Sequence, residues 1–226
     1  MIQLSYIKWI LGCDKMNGSY NHVKGNTFER DVAKAFTEWS GVKFNRTFAS
    51  GAQGDKFSSD VRVTGDLFAP VDYNFPFSVE CKFHDDFNLR NVFINGSVVQ
   101  LFLKQNVSDA RRSSRAPMLV AKVSRQDTYV VLPYTGNLES LLMSKQAPYF
   151  FRRMYYQDDM TKRVYKFDMI ITNLSSLLLA TPSELWNWYN DLNWNYLNEG
   201  TGTRETNTDV DKLIGQVRGD LAKHGE

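Results

Sequence analysis

Residues 77–84 constrain the fold of this chain more than any other stretch. Every second position is apolar: Phe77, Val79, Cys81 and Phe83. This is the period of a β-strand that turns one face into a core. Glu80 and Lys82 occupy the alternate positions, so they are predicted to stand side by side on the opposite, solvent-facing side of a half-buried strand.

A second carboxylate is predicted beside this strand. Asp66 opens a short apolar run, residues 67–69, which ends at Pro70. An Asp at the start of one strand and Glu-x-Lys on the next bring two carboxylates and one ammonium to a single point. Carboxylate oxygens suit Mg²⁺, which can activate a water and polarise a phosphate. The trio therefore indicates metal-assisted hydrolysis of a phosphodiester, although Glu80 and Lys82 alone would fit a solvated strand face.

The overall charge of the chain identifies no partner, whereas the distribution of charge is informative. The 226 residues include 27 basic and 25 acidic side chains, a net charge of +2. The segment from residue 104 to residue 125 contains one acidic residue, Asp109, and six basic residues: Lys104, Arg111, Arg112, Arg115, Lys122 and Arg125. Such a run is usually a solvated helix face. Because it follows the Glu-Lys strand directly, we interpret it as a phosphate-facing surface and assign DNA contacts to Arg111, Arg112 and Arg115.

Several classes of protein do not fit the sequence. Cys13 and Cys81 lie far apart, which predicts no disulfide framework and a reducing, cytoplasmic compartment. Residues 1–12 are apolar but too short and interrupted for a membrane span, and no cleavage signal follows; Met16 is an alternative start. The absence of a GxxxxGK[ST] loop predicts no nucleotide cofactor, and the histidine spacing disfavours zinc.

Hydrophobic periodicity predicts an α/β fold with a mixed sheet flanked by helices. The predicted order of core elements is helix, three strands, helix, two strands. Their approximate ranges are 26–40, 42–48, 60–69 (in two short pieces), 77–84, 97–114, 118–123 and 129–132. The helix entry is placed at Asn26-Thr27-Phe28-Glu29, with Glu29 three residues after a candidate N-cap.

The rest of the chain predicts an α+β extension. A short helix at 138–145 precedes two aromatic strands at 149–156 and 164–171, and Thr181-Pro182-Ser183-Glu184 is typical of a capped helix start. Tryptophans and tyrosines follow at helical spacing, and we interpret them as core or dimer interface rather than as base-stacking residues. The predicted division is an N-terminal arm at 1–23, a core at 24–133, the extension at 134–199, and a linker with a terminal amphipathic helix at 200–226.

The order of these pieces resembles the PD-(D/E)xK nuclease superfamily, and within it the archaeal-type Holliday-junction resolvases and their phage relatives. The matching pieces are Gly25-Asn26-Thr27-Phe28-Glu29-Arg30, Ser50-Gly51, Gly65-Asp66, Glu80-Cys81-Lys82, Lys104-Gln105 and Ala116-Pro117. The similarity covers roughly residues 24–133. Gly65 replaces the family's Pro, and a long insertion before Asp66 leaves Asp60 as a rival ligand. The last hundred or so residues have no counterpart in the minimal family.

The resemblance implies a restriction-endonuclease-like core and assigns roles to individual residues. Mg²⁺, with Mn²⁺ able to substitute, would be held by Asp66, Glu80 and the backbone carbonyl of Cys81. Lys82 would orient the attacking water and offset charge on the transition state.

Three further residues have weaker assignments. Glu29 would be a metal- or water-associated carboxylate, although a capping box with Asn26 is the alternative. Gln105 would position the water or a phosphate oxygen, unless it is a surface amide. Ser50 could bind a phosphate.

The prediction is therefore a Mg²⁺-dependent endonuclease of branched DNA, most simply a Holliday-junction resolvase of viral origin. A restriction- or repair-type nuclease and a non-cutting DNA-binding protein are the alternatives. Two paired cuts need two active sites, and the chain has one Asp-Glu-Lys set, so a homodimer is predicted. Its interface is expected at the arm 1–12, the Trp-rich helix and the terminal helix.

Overall fold

The computed structural model describes residues 23–47, 64–70, 72–84 and 87–197. The predicted N-terminal arm, Ser50, Asp60 and the predicted terminal helix lie outside these ranges.

A seven-stranded mixed sheet forms the centre of the fold, with the order β1-β2-β3-β4-β5-β7-β6. The strands are β1 Asn45–Arg46, β2 Leu67–Phe68, β3 Phe77–Phe83, β4 Ala116–Lys122, β5 Thr128–Pro133, β6 Tyr149–Gln157 and β7 Val164–Asn173. The β3–β4 pair is parallel and every other neighbouring pair is antiparallel. The predicted mixed sheet of an α/β, restriction-endonuclease-like fold is thus confirmed.

Helices cover both faces of the sheet. They are α1 at 23–40, α2 Leu89–Phe93, α3 Ser97–Ser113, α4 Gly136–Ser144, α5 Leu174–Leu177 and α6 Pro182–Tyr189. The capping box predicted at Thr181 and Glu184 is present at the start of α6. Helices α2 and α5 were not predicted from the sequence, because they are too short to show a helical period.

The two faces of β3 enter different cores, and this corrects the prediction of a half-buried strand. Phe77, Val79 and Cys81 lie in a core shared with α1, α4, α5 and α6. Ser78 and Glu80 lie on the opposite face, where α3 covers the sheet, and they are 0% and 1% exposed. The predicted alternation of apolar and polar residues along β3 is confirmed, but α3 excludes water from the polar side of the strand.

The start of α1 also differs from the prediction. The helix already includes residue 23, and the Thr27 hydroxyl donates to the carbonyl of Val23 at 2.9 Å. Asn26 therefore lies inside the helix and is not its N-cap, which removes the capping-box interpretation of Glu29. The Asn26 side chain instead accepts a hydrogen bond from Arg46 at 2.7 Å.

The strands of the predicted extension continue the same sheet. β7 pairs with β5 and β6 pairs with β7, so the hydrogen-bond ladder runs across residue 134 without a break. Tyr189 of α6 donates from its hydroxyl to the carbonyl of Pro133 at 2.8 Å. Trp186 packs edge-on against Tyr73 and Phe75. The aromatic side chains of α6 thus pack in the core of their own chain. None of the helices in the described ranges is long and apolar enough to cross a membrane.

Candidate active site

Glu80 and Lys82 share the face of β3 that points towards α3, as alternation along the strand predicted. The Lys82 ammonium forms an ion pair with the Glu80 carboxylate. The Lys82 side chain keeps 23% of its surface exposed, whereas that of Glu80 keeps 2%. A charge on so deeply buried a carboxylate needs a partner, and within the described structure Lys82 supplies it.

Asp66 is fixed against β3 by two hydrogen bonds. Its backbone N–H donates to the carbonyl of Val79 at 2.7 Å. Its Oδ2 accepts from the backbone N–H of Cys81, also at 2.7 Å. Strand β2 has only two residues and begins at Leu67, opposite Val79, so it does not reach back far enough to pair with Cys81. The side chain of Asp66 takes the place of the missing strand.

The carbonyl of Cys81 lies on the same edge of β3 as this contact. Within a strand, the N–H and C=O of one residue point to the same side, which allows an antiparallel pair of residues to exchange both bonds. The Cys81 carbonyl is therefore directed towards the side of the sheet where Asp66 lies. Its role as a metal ligand stays a prediction.

Gly65 permits the close approach of Asp66. Its φ of +79° belongs to the left-handed region, which a Pro cannot adopt. A Cβ at this position would lie 2.4 Å from the carbonyl oxygen of Val79. The replacement of the family's Pro by Gly65 thus accompanies a specific backbone turn that presses residue 65 against β3.

Glu29 is held by Arg46, a residue that the sequence analysis did not single out. The Arg46 Nε donates to Glu29 Oε2 at 2.8 Å, and both side chains are more than four-fifths buried. Arg46 pairs with Leu67 across β1 and β2, next to Asp66. An Arg on a two-residue strand shows no periodic signal, so the sequence offered no way to place it.

Burial and mutual repulsion make both predicted ligands reluctant to ionise. Burial raises the pKa of Asp66 from 3.8 to about 6, and the nearby charge of Glu29 adds to the rise. Burial raises the pKa of Glu80 from 4.5 to about 7, and the charge of Asp66 adds to it. Two carboxylates whose like charges repel each other in a closed space are typical of a cation site.

Helix α3 contributes a further acidic residue, Asp109, to this region. Phe102 places its ring 5.5 Å from the Lys82 ammonium. Asp109 lies two turns further along the same helix face, and its negative charge contributes to the raised pKa values of Asp66 and Glu80. Gln105 falls between Phe102 and Asp109 on this face and is exposed. The predicted position of Gln105 near the site is compatible with the helix geometry, while its role stays a prediction.

The neighbour of Gln105 makes the direct contact with β3. Asn106 is fully buried, and its side-chain amide donates to the carbonyl of Ser78 at 2.9 Å. This bond fixes the distance between α3 and the strand that carries Glu80. A single buried Asn in an apolar helix face was the available signal for it.

The three arginines assigned to DNA do not form one surface. The Arg111 guanidinium donates to the Tyr156 hydroxyl and the Asn195 side chain, both at 3.0 Å. Arg112 is exposed and pairs with Asp109 near the site. Arg115 is half-buried beside Ala116, at the opposite end of β4 from Lys122. Arg112 is therefore the member of this set on the active-site side, and Arg111 is engaged in holding the extension.

The residues present fit a divalent cation bound by a few oxygen atoms. Within the described ranges, no three Asp, Glu, His or Cys side chains are grouped closely enough to hold a metal by themselves. Asp66, Glu80 and the Cys81 carbonyl would offer three oxygens, and Mg²⁺ characteristically keeps water at its other positions. When bound there, the cation would lower the pKa of a water and polarise the scissile phosphate.

A comparison with known proteins identifies the family of the chain. The family model described as "phage putative PDDEXK endonuclease" matches residues 20–187, about three quarters of the chain. No curated protein and no solved structure matches. The matched range includes Glu29, Arg46, Asp66, Glu80 and Lys82 and continues to α6. The chain thus belongs to the PDDEXK endonuclease family of phages and is a nuclease whose substrate is DNA.

Proposed function

We propose that this nuclease is a Mg²⁺-dependent endonuclease that cuts branched DNA as a Holliday-junction resolvase, with Mn²⁺ able to replace Mg²⁺. The observation that carries the catalytic part is the meeting of Asp66, Glu80 and Lys82 at one edge of β3. The resemblance of the 24–133 segment to junction resolvases carries the choice of substrate. A phage enzyme of this kind acts on DNA in the cytoplasm of its host.

Each side chain has a distinct task in this proposal. Asp66 and Glu80 would hold the cation, and the Asp66 carboxylate also accepts from Cys81, which fixes its orientation. The cation would supply a water of lowered pKa. The Lys82 ammonium, which stands beside Glu80, would orient that water and offset charge on the phosphate. Glu29, oriented by Arg46, accepts a hydrogen bond from that water.

A homodimer follows from the need for two cuts. A four-way junction is resolved by two incisions in strands related by near two-fold symmetry, and one chain carries one Asp-Glu-Lys set. A C2 dimer supplies the second set in a fixed relation. Because the aromatic side chains of α6 pack on the core of their own chain, only the exposed face of this helix stays available for the predicted dimer interface.

The test of function compares three substrates. A four-way junction, a flap and a linear duplex are incubated with the protein in Mg²⁺, beside the Lys82→Ala variant. Paired nicks across the junction, with the duplex spared and the variant inactive, are expected. Equal cutting of all three substrates would indicate a restriction- or repair-type nuclease, and binding without cutting in Mg²⁺ or Mn²⁺ would indicate a DNA-binding protein.

The test of assembly is the mass in solution at micromolar concentration, measured by sedimentation. A dimer mass is expected. A monomer that makes paired cuts would contradict the dimer, and a monomer that only nicks would contradict the resolvase assignment.

A further inference from the structure

A positively charged groove lies between α1 and the segment that leads into β1. Its volume is about 410 Å³. Four cationic side chains line it: Arg30, Lys34, Lys43 and Arg46. Among the residues described, no acidic side chain lines this groove. In a chain with a net charge of only +2, such a concentration of positive charge is local and not a property of the whole surface.

The groove has rigid walls. The Thr37 side chain accepts from the backbone N–H of Phe44 at 3.0 Å, so the segment before β1 is tied to α1. Gly41, with φ of +71°, ends the helix and turns the chain back beside it. Phe44 is 4% exposed and anchors the same segment in the core. The cations are therefore carried by elements whose relative position is fixed.

The groove is continuous with the active site through Arg46. This residue lines the groove, donates to Glu29, and pairs across β1 and β2 with Leu67, which directly follows Asp66. Lys34 lies one helical turn from Arg30, about 6 Å along the axis of α1. A strand of duplex DNA presents a phosphate roughly every 3.4 Å along its axis, so this turn spans about two phosphates.

We infer that the groove binds the phosphate backbone of the DNA on one side of the cleavage site, with Lys34 and Lys43 contacting phosphates that are not cut. The inference rests on the proposed function only in taking DNA as the substrate. Lys34 lies 3.7 Å from Glu38, but these side chains are 76% and 67% exposed. Such an exposed pair is weak and yields readily to a phosphate. The contacts involve no base, so they are independent of sequence and of branching.

The experiment measures binding without cleavage. The variant Lys34→Ala/Lys43→Ala is made in a Glu80→Gln background, and affinity for a linear duplex and a four-way junction is measured by fluorescence anisotropy over a range of salt. We expect weaker binding of both DNAs. The slope of log affinity against log salt should become shallower by about two units, one for each lost phosphate contact.

The matched control removes two exposed lysines elsewhere, as Lys145→Ala/Lys162→Asn, where Asn suits the positive φ of residue 162. It should leave the slope unchanged. The inference would be overturned if the groove variant kept the salt slope of the parent, or if it lost no more affinity than the control variant.

A second measurement separates this inference from the proposed function. With Glu80 restored, Lys34→Ala/Lys43→Ala should need a higher protein concentration than the wild type for half-maximal single-turnover cleavage, because both lysines contribute to DNA binding. An unchanged half-maximal concentration would overturn the inference. A wild-type protein that cuts no junction would defeat the resolvase proposal while leaving the predicted change in salt slope intact.

Discussion

At the scale of single residues, Asp66 and Glu80 work against the stability of the protein when no metal is bound. Their pKa values of about 6 and about 7 exceed the ordinary values of 3.8 and 4.5. The folded state therefore binds more protons than the unfolded state between about pH 4 and pH 7. Through this linkage, the contribution of the two groups to stability falls as the pH rises through that range.

This linkage gives a prediction that needs no substrate. In EDTA, Asp66→Asn/Glu80→Gln should be more stable relative to the wild type at pH 8 than at pH 5, as measured by urea unfolding. Adding Mg²⁺ at pH 8 should stabilise the wild type and leave the double variant unchanged. Equal stabilisation of both proteins by Mg²⁺ would place the cation elsewhere.

The Arg46 guanidinium is predicted to act through Glu29. Arg46→Ala should lower the single-turnover cleavage rate about 10–100-fold at saturating protein, the usual loss when a partner of an active-site ligand is removed. Asn26→Ala keeps the bond between Arg46 and Glu29 and should cost less. Arg46→Lys keeps the charge without the planar fork. Full recovery by this Lys variant would show that Arg46 contributes charge alone and does not orient Glu29.

At the scale of elements, the turn before β2 fixes the active site. Gly65→Ala would set a Cβ 2.4 Å from the Val79 oxygen in a left-handed conformation. We expect a loss of stability on the order of 2–5 kcal/mol, together with loss of cleavage. Gly136→Ala, at the first position of α4 with no atom near its added Cβ, should be neutral or stabilising by up to about 1 kcal/mol.

These two variants are compared by thermal unfolding. A Gly65→Ala protein as stable as the Gly136→Ala protein would mean that the turn is not as tight as its φ indicates.

The sequence was sufficient for the long elements and insufficient for the short ones. β3, α3 and the β6–β7 pair are long enough to show a period, and their predicted bounds match the observed ones to within a few residues. β1 and β2 have two residues each, so no pattern could reveal that Arg46 would stand beside Asp66. The burial of Glu80 also escaped prediction, because alternation along one strand does not show which helix covers its polar face.

The contacts of α3 also depend on parts of the chain that are distant in sequence. The basic run that begins on this helix was predicted to form one phosphate-facing surface. Side chains on a helix turn about 100° per residue, however, so Arg111 and Arg112 point in different directions. Arg111 reaches Tyr156 and Asn195, which are far away in sequence and could not be anticipated.

At the scale of the whole molecule, the described chain is expected to unfold as one unit. The Tyr189 side chain is only 2% exposed, so Tyr189→Ala would leave a cavity in the core and remove the hydrogen bond to Pro133. The expected loss in the free energy of unfolding is about 3–5 kcal/mol. Because β3 and β7 belong to one sheet, hydrogen exchange should accelerate in both strands together. Tyr189→Phe, which loses only the hydroxyl, should cost about 1 kcal/mol. Faster exchange in β7 with full protection of β3 would show instead that the segments 24–133 and 134–199 unfold separately.

The hydrogen bond from Cys81 to Asp66 bears on the choice of an inactive enzyme for trapping a DNA complex. The carboxylate is also a structural acceptor just before β2, so an alanine there would leave a backbone N–H of the sheet without its partner. An asparagine can still accept that bond through its side-chain oxygen while removing the negative charge. Asp66→Asn is therefore the substitution suited to crystallising the protein on uncut DNA. An alanine variant would lose the hydrogen bond from Cys81 together with the carboxylate, so the two effects could not be separated.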